Sequence, residues 1–177
     1  EGRRTNVGLD EMPQYLINAT IAIEDDSFYQ NIGIDIAATT VAFLQFLGAE
    51  PDENTPGGST ITQQLVRNVL FSPEYRAERS TQRKVEEILL AIALTGRKSK
   101  DDILELYLNE IYYGNLAYGS QAASQVFFGK DVGDLTLGEA AMLAGLPQAP
   151  AELDPFNQDP EVQAAVYARW RQVLNEM

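Results

Sequence analysis

Helix-start signals recur along this chain ahead of apolar residues spaced three and four apart, and no stretch between them alternates long enough for a convincing strand. Pro13 suits a first helical turn, and Leu16, Ile17, Thr20 and Ile23 follow at helical spacing, so a helix delivers Glu24. Asp35 can cap a second helix through Phe46, with Gly48 as its stop. Ser59 or Thr60 caps a third over Ile61–Leu70, with Ile61, Leu65 and Val69 as its buried stripe. Ser80 starts a fourth, with Val85, Ile88, Leu89 and Ile92 facing inward. Ser99 and Asp102 form a capping box for a fifth, carrying Ile103, Leu104, Tyr107, Leu108 and Ile111. Further helices are predicted over residues 121–128, from Thr136 and Glu139 through Leu143, and from Asp159-Pro160 onward with Val162, Val166, Trp170 and Val173. Residues 1–10 read as an extended lead-in, 49–58 and 112–119 as loops, and Pro147, Pro150 and Pro155 as forcing an extended segment. The fold class is mostly α.

At 177 residues the chain fits one domain with a single core. No window approaches the length of a membrane-spanning helix, and the opening Glu-Gly-Arg-Arg carries no secretory pattern. Cys and His are both absent, so thiolate chemistry is excluded and proton transfer falls to Asp, Glu, Lys or Tyr. A net charge of -13 argues against a nucleic-acid partner. Yet Arg67, Arg76, Arg79, Arg83, Lys84, Arg97, Lys98 and Lys100 make 8 of the 13 basic residues. One basic stretch in an acidic protein suggests a local anion site, although solvated helix faces also produce such runs.

Three stretches carry candidate chemistry. The first helix ends on Glu24 and Asp25, against the negative pole of its dipole. That field and a partly apolar neighbourhood raise a carboxyl pKa towards the value a general base needs. A helix fraying into a solvated acidic loop is the plain alternative. In the third helix Gln63 and Arg67 lie one turn apart, with Gln64 and Asn68 beside them, a set able to grip a polar anion or to form an ordinary wet face. In the fourth, Arg79, Arg83 and Glu87 recur every four residues, which would depress the pKa of Glu87 or make a modest surface ion pair. Two carboxylates pushed apart in pKa mark acid/base assignments. The second helix is apolar almost all round, so burial is expected unless part of it meets something greasy.

These residues fall in an ordered set of motifs. Glu-Asp-Asp-Ser-Phe-Tyr-Gln-Asn-Ile-Gly-Ile-Asp from Glu24, Gly-Gly-Ser-Thr-Ile-Thr-Gln-Gln-Leu-Val-Arg-Asn from Gly57, Arg-Lys-Val-Glu-Glu-Ile-Leu-Leu-Ala from Arg83 and Ile-Leu-Glu-Leu-Tyr-Leu-Asn-Glu-Ile-Tyr-Tyr-Gly from Ile103 follow one another. The chain resembles glycosyltransferase family 51, the peptidoglycan glycosyltransferase domain of class A penicillin-binding proteins and monofunctional transglycosylases, over nearly its whole length.

The resemblance implies a lysozyme-like helical fold with a larger head lobe and a smaller membrane-facing lobe, the whole chain forming one glycosyltransferase domain. It implies inverting polymerisation of lipid II into β-1,4-linked glycan, with release of undecaprenyl pyrophosphate at the outer face of the bacterial cytoplasmic membrane. Glu24 corresponds to the general base, with Asp25 beside it, and Glu87 to the second catalytic carboxylate. Arg67, Arg79, Arg83 and Lys84 correspond to positions facing the pyrophosphate; Ser59, Thr60, Gln63, Gln64 and Asn68 to contacts with donor phosphate and sugar. Phe28 is counted with the substrate-binding positions. A divalent cation, Mg or Mn, is a candidate helper, and no organic cofactor is implied. Lipid II, the growing strand, the membrane surface and other cell-wall synthesis proteins are the candidate partners, and moenomycin-like compounds the inhibitors. The helix end from Phe43 to Leu47 and the loop after it would be the membrane-lobe segment.

Two departures stand out. Asn31 occupies a position where the family usually has His, which predicts altered loop hydrogen bonding rather than inactivity. The family's N-terminal membrane helix and transpeptidase domain are missing, so the chain reads as a soluble extracytoplasmic fragment of an anchored protein or a short relative. A lysozyme-like hydrolase or lytic transglycosylase is a competing reading, against which the pyrophosphate-suited basic stretch argues. A non-catalytic binder of lipid-linked precursor is the other, supported by Asn31 alone.

Overall fold

Thr60 with Gln63, and Thr136 with Glu139, each close a reciprocal capping box, and that local chemistry sets where two of the helices begin. The computed structural model describes residues 5–46, 59–78 and 80–177, with the side chains of 42–46 left out. Among them the helices are α1 (Gln14–Glu24), α2 (Ile36–Phe46), α3 (Ile61–Leu70), α4 (Pro73–Ala77), α5 (Thr81–Thr95), α6 (Lys100–Glu110), α7 (Ser120–Phe128), α8 (Leu137–Gly145) and α9 (Pro160–Glu176). Strands β1 (Tyr112–Gly114) and β2 (Ala117–Tyr118) pair antiparallel between α6 and α7. The mostly α expectation holds.

The chain divides into two compact units, residues 1–23 with 105–177, and residues 24–104. In the first, α8 packs along α9. Ala19, Ala141, Ala144 and Val173 form a buried cluster ringed by Ile23, Trp170 and Leu174. Small residues on α8 let α9 come close: a Cβ at Gly145 would stand 3.1 Å from Arg169 Cγ. The Trp170 indole N–H donates to the Gly138 carbonyl at 2.9 Å, so its polar edge is satisfied where the ring is partly buried. Asn109 ties down the lead-in, accepting from the Val7 N–H at 3.0 Å and donating to the Val7 carbonyl at 2.9 Å. In the second unit α3 packs on α5.

Several expectations change. Residues 112–119 form a hairpin rather than a loop; its turn puts Asn115 and Leu116 at φ of 48° and 60°, the left-handed geometry that two-residue hairpin turns require. Pro147 sits in a 3-10 turn, Leu146–Gln148, instead of an extended run, because its fixed φ suits a helical turn equally well. The lead-in also holds a 3-10 turn, Leu9–Glu11, with Glu11 accepting from the Gly8 N–H. On α3, Ile61 and Leu65 are buried but Val69 is exposed. On α5, Val85, Leu89 and Ile92 are exposed, Leu89 at 61%, while Glu87 and Ala91 are buried. The face that turns inward is the one carrying the carboxylate. On α2, Ala38 is buried and Ile36 is 64% exposed. The Gly48 stop, the 49–58 loop and Arg79 lie outside the described residues, as do Leu47 and the side chains from Phe43 to Phe46 in the expected membrane-lobe segment.

Candidate active site

Every described residue of the predicted site belongs to the unit formed by residues 24–104. Glu24 is the last residue of α1, and its carboxylate accepts a 2.7 Å hydrogen bond from Gln64 Nε2. The same amide lies 3.4 Å from the Ser59 carbonyl. Thr60 begins α3 at a fixed angle, because its hydroxyl donates to the Gly33 carbonyl at 2.7 Å while its backbone N–H donates to Gln63 Oε1 at 3.0 Å. Gly33 has φ of 99° and lies so close to α5 that a Cβ there would stand 2.5 Å from the Ala91 carbonyl oxygen. Only glycine fits. Gln63 and Gln64 are buried, so the wet-face reading of this helix does not hold. The Gln63 Nε2 donor is buried with no hydrogen-bond partner among the described residues.

Asp25 is 8% exposed and surrounded by neutral donors. Its carboxylate accepts from the Ile61 N–H at 3.1 Å, from Ser27 Oγ at 3.1 Å and from Asn31 Nδ2 at 2.9 and 3.1 Å. Burial pushes its pKa above the ordinary carboxylate value, against the opposing pull of those hydrogen bonds and of Lys100. Phe28, fully buried, lies beneath Lys100, whose Nζ stands 4.6 Å from the ring centroid.

The other end of the site is cationic. Glu87 has no exposed surface. Lys84 Nζ lies 2.6 Å from its Oε1, Arg83 Nη1 2.9 Å from its Oε2, and Arg67 Nη1 3.8 Å from that same oxygen. Three cations thus share one carboxylate, leaving a surplus of positive charge at a partly exposed edge. Lys84 Nζ also donates to Ser59 Oγ at 3.1 Å. Contacts therefore run without interruption from Glu24 through Gln64, Ser59 and Lys84 to Glu87, Arg83 and Arg67. Asn68 sits at the edge, accepting from Arg76 Nη1 at 3.3 Å.

Direct contacts link Glu24, Gln64, Ser59, Lys84, Glu87, Arg83 and Arg67; Asp25, Thr60 and Gln63 meet at the start of α3, Phe28 lies under Lys100, Asn68 meets Arg76, and Arg79 is not among the described residues. Sequence reasoning passes over Lys100 and Arg76 as site residues. For Lys100 a signal exists: an ammonium at the first position of a helix opposes the dipole, as Glu24 does at the last. For Arg76 the signal is Ser72-Pro73, a helix start that brings α4 and its arginine against Asn68. Among the described residues no group of three Asp or Glu comes together, and Asp25 and Glu87 are already engaged by hydrogen bonds and cations.

A family model described as Transglycosylase matches residues 1–177. The chain is 48% identical over 157 residues to penicillin-binding protein 1A of Vibrio cholerae, covering 88% of this chain and 18% of that protein. With the Escherichia coli protein of the same name the identity is 46% over 160 residues, again 88% of this chain and 18% of the relative. With that of Mycobacterium tuberculosis it is 41% over 177 residues, all of this chain and 21% of the relative. The chain thus spans about a fifth of the length of these relatives. A crystal structure of penicillin-binding protein 1A from Haemophilus influenzae covers 99% of this chain and 15% of its own, with TM-score 0.51 and 26% identity. That likeness shows the lysozyme-like helical fold.

Proposed function

Because the chain belongs to the transglycosylase family, we propose that it is a peptidoglycan glycosyltransferase domain, polymerising lipid II at the outer face of the cytoplasmic membrane. In this reading the growing strand, linked through its anomeric carbon to undecaprenyl pyrophosphate, is the donor. The 4-hydroxyl of lipid II is the acceptor. Glu24 takes the hydroxyl proton as the oxygen attacks the anomeric carbon. The new C–O bond forms as the bond to the diphosphate breaks on the opposite face, so configuration inverts and the lipid diphosphate departs with the electron pair.

The observation that carries the reading is the unbroken run of contacts from Glu24 to the Arg67, Arg83 and Lys84 cluster. A departing diphosphate gains negative charge in the transition state, and cations already held in place stabilise it most. Glu87 acts through the cations it holds, since both its oxygens are taken. By the family resemblance Arg79 would also face the diphosphate. In this reading Ser59, Thr60, Gln64 and Asn68 meet donor phosphate and sugar; Gln63, expected among those contacts, is fully buried and holds the start of α3 through Thr60, while Asp25 accepts from the Ile61 N–H there. Side chains supply the positive charge facing the leaving group; a Mg or Mn ion carried in on the substrate's own phosphates is compatible with that arrangement.

No described helix is long and apolar enough to cross a membrane. Exposed Val69, Leu70 and Leu89 favour contact with a lipid surface. A hydrolase would have no use for the cationic cluster. The test is incubation of the chain with labelled lipid II in detergent and a divalent cation. Polymer that disappears on muramidase treatment is expected, and binding without polymer would overturn the reading.

A further inference from the structure

Lys100 stands in a position that costs stability twice over. It opens α6, where the helix dipole disfavours a cation, and burial holds its pKa below the usual lysine value. What it gains is specific: Nζ lies over the buried Phe28 ring and donates to Asn31 Oδ1 at 2.9 Å.

That hydrogen bond fixes which way the Asn31 amide points. Oδ1 is claimed by two donors, Lys100 Nζ and the Gly33 N–H at 2.9 Å. Nδ2 is thereby turned onto both Asp25 oxygens and onto Ser27 Oγ at 3.2 Å. Asp25 Oδ2 in turn accepts from the N–H of Ile61, the first residue of α3. Three residues further along that helix, Gln64 donates to Glu24.

We propose that Lys100 is a positioning residue: through Asn31 and Asp25 it holds the start of α3 at the spacing that keeps Gln64 on Glu24. The proposal rests on the reading of Glu24 as the group that takes the acceptor proton. Lys100 acts through Asn31 rather than on Glu24 directly, and so sets the angle at which Glu24 is presented. Displacing a reacting group by about 1 Å is enough to cost on the order of a hundredfold in rate.

Lys100→Met keeps the alkyl stem on Phe28 and removes the donor and the charge. It is expected to lower kcat for lipid II polymerisation by roughly tenfold to a hundredfold with KM unchanged, as for a group acting only in the transition state. Lys100→Arg, which keeps donor and cation, should restore most of the turnover. Asn31→Ala should match Lys100→Met, and the double variant should be no worse than either alone, because they act in one chain of contacts. Amide hydrogen exchange at Ile61 should quicken in both single variants while the rest of α3 keeps its protection. Unchanged Ile61 exchange, additive losses, or a change confined to KM would each overturn the proposal. If Lys100→Met fails to fold, Asn31→Ala and Lys100→Arg carry the same comparison. A wild-type chain that makes no polymer would remove the functional reading and leave the Ile61 exchange to decide this linkage.

Discussion

Asp25 and Glu87 are both buried carboxylates, and the molecule satisfies them in opposite ways. Around Asp25 every direct donor is neutral: a backbone N–H, a hydroxyl and an amide. Around Glu87 the direct partners are cations. Neutral donors hold geometry without adding charge, which suits the end that the proposed function assigns to the proton acceptor. A carboxylate shared by three cations holds positive charge in place without cancelling it, which suits the end that the proposed function assigns to the departing diphosphate. Ser59 belongs to both ends, with its carbonyl near Gln64 and its hydroxyl under Lys84.

The largest expected effect tests the first end. Glu24→Gln should lower polymerisation by about a thousandfold, the middle of the range for losing a general base, while a moenomycin-like donor mimic still binds. Near-normal turnover would remove the assignment. Next, Glu87→Gln leaves three cations crowded without their counter-charge. It should destabilise the fold by about 3 kcal/mol in denaturant unfolding, with a large loss of activity. Stability equal to wild type would show that the cations do not depend on this carboxylate. A smaller effect belongs to Arg83→Ala, expected to weaken donor-mimic binding about tenfold, the scale of one charge-assisted hydrogen bond. Equal affinity would take Arg83 out of the cationic end.

The smallest effect is a slope. Burial raises the Asp25 pKa in the folded chain, so between the ordinary carboxylate value and that raised value the folded state binds the extra proton. The Asp25 contribution to stability is therefore present at low pH and declines as pH rises through that window. Glu139 works the other way: its capping hydrogen bonds to Thr136 lower its pKa to about 2, so its contribution is lost as pH falls. Denaturant unfolding across acidic pH, wild type minus Asp25→Asn, should isolate the declining slope. A flat difference would mean that Asp25 is not held as described.

How much of this was legible in the chain depends on whether the deciding interaction is local. The start of α3 follows from Thr60 and Gln63, three residues apart, and the inward face of α6 from Ile103, Leu104, Tyr107 and Leu108, with Ile111 just past its end, all buried as expected. On α5 the apolar period of Val85, Leu89 and Ile92 pointed the wrong way, because Glu87 goes inward to meet Arg67, a partner twenty positions back in the chain. The hairpin at residues 112–118 is too short for period-two alternation to register. At the site the motif positions came from resemblance, which also gave the expectation that Asn31 alters the hydrogen bonding of its loop. Of its actual partners, Asp25 lies six positions away in the same loop, while Lys100 comes from a segment that meets it only when folded.

The central claim is that one continuous surface of residues 24–104 serves both the proton acceptor and the leaving diphosphate. A crystal structure of this chain with a bound phosphoglycolipid tests it most directly. The account predicts the ligand phosphate within hydrogen-bonding distance of Arg83, Lys84 or Arg67, with its sugars running past Ser59 towards Glu24. A phosphate seated away from all three cations, or sugars leading away from Glu24, would contradict it.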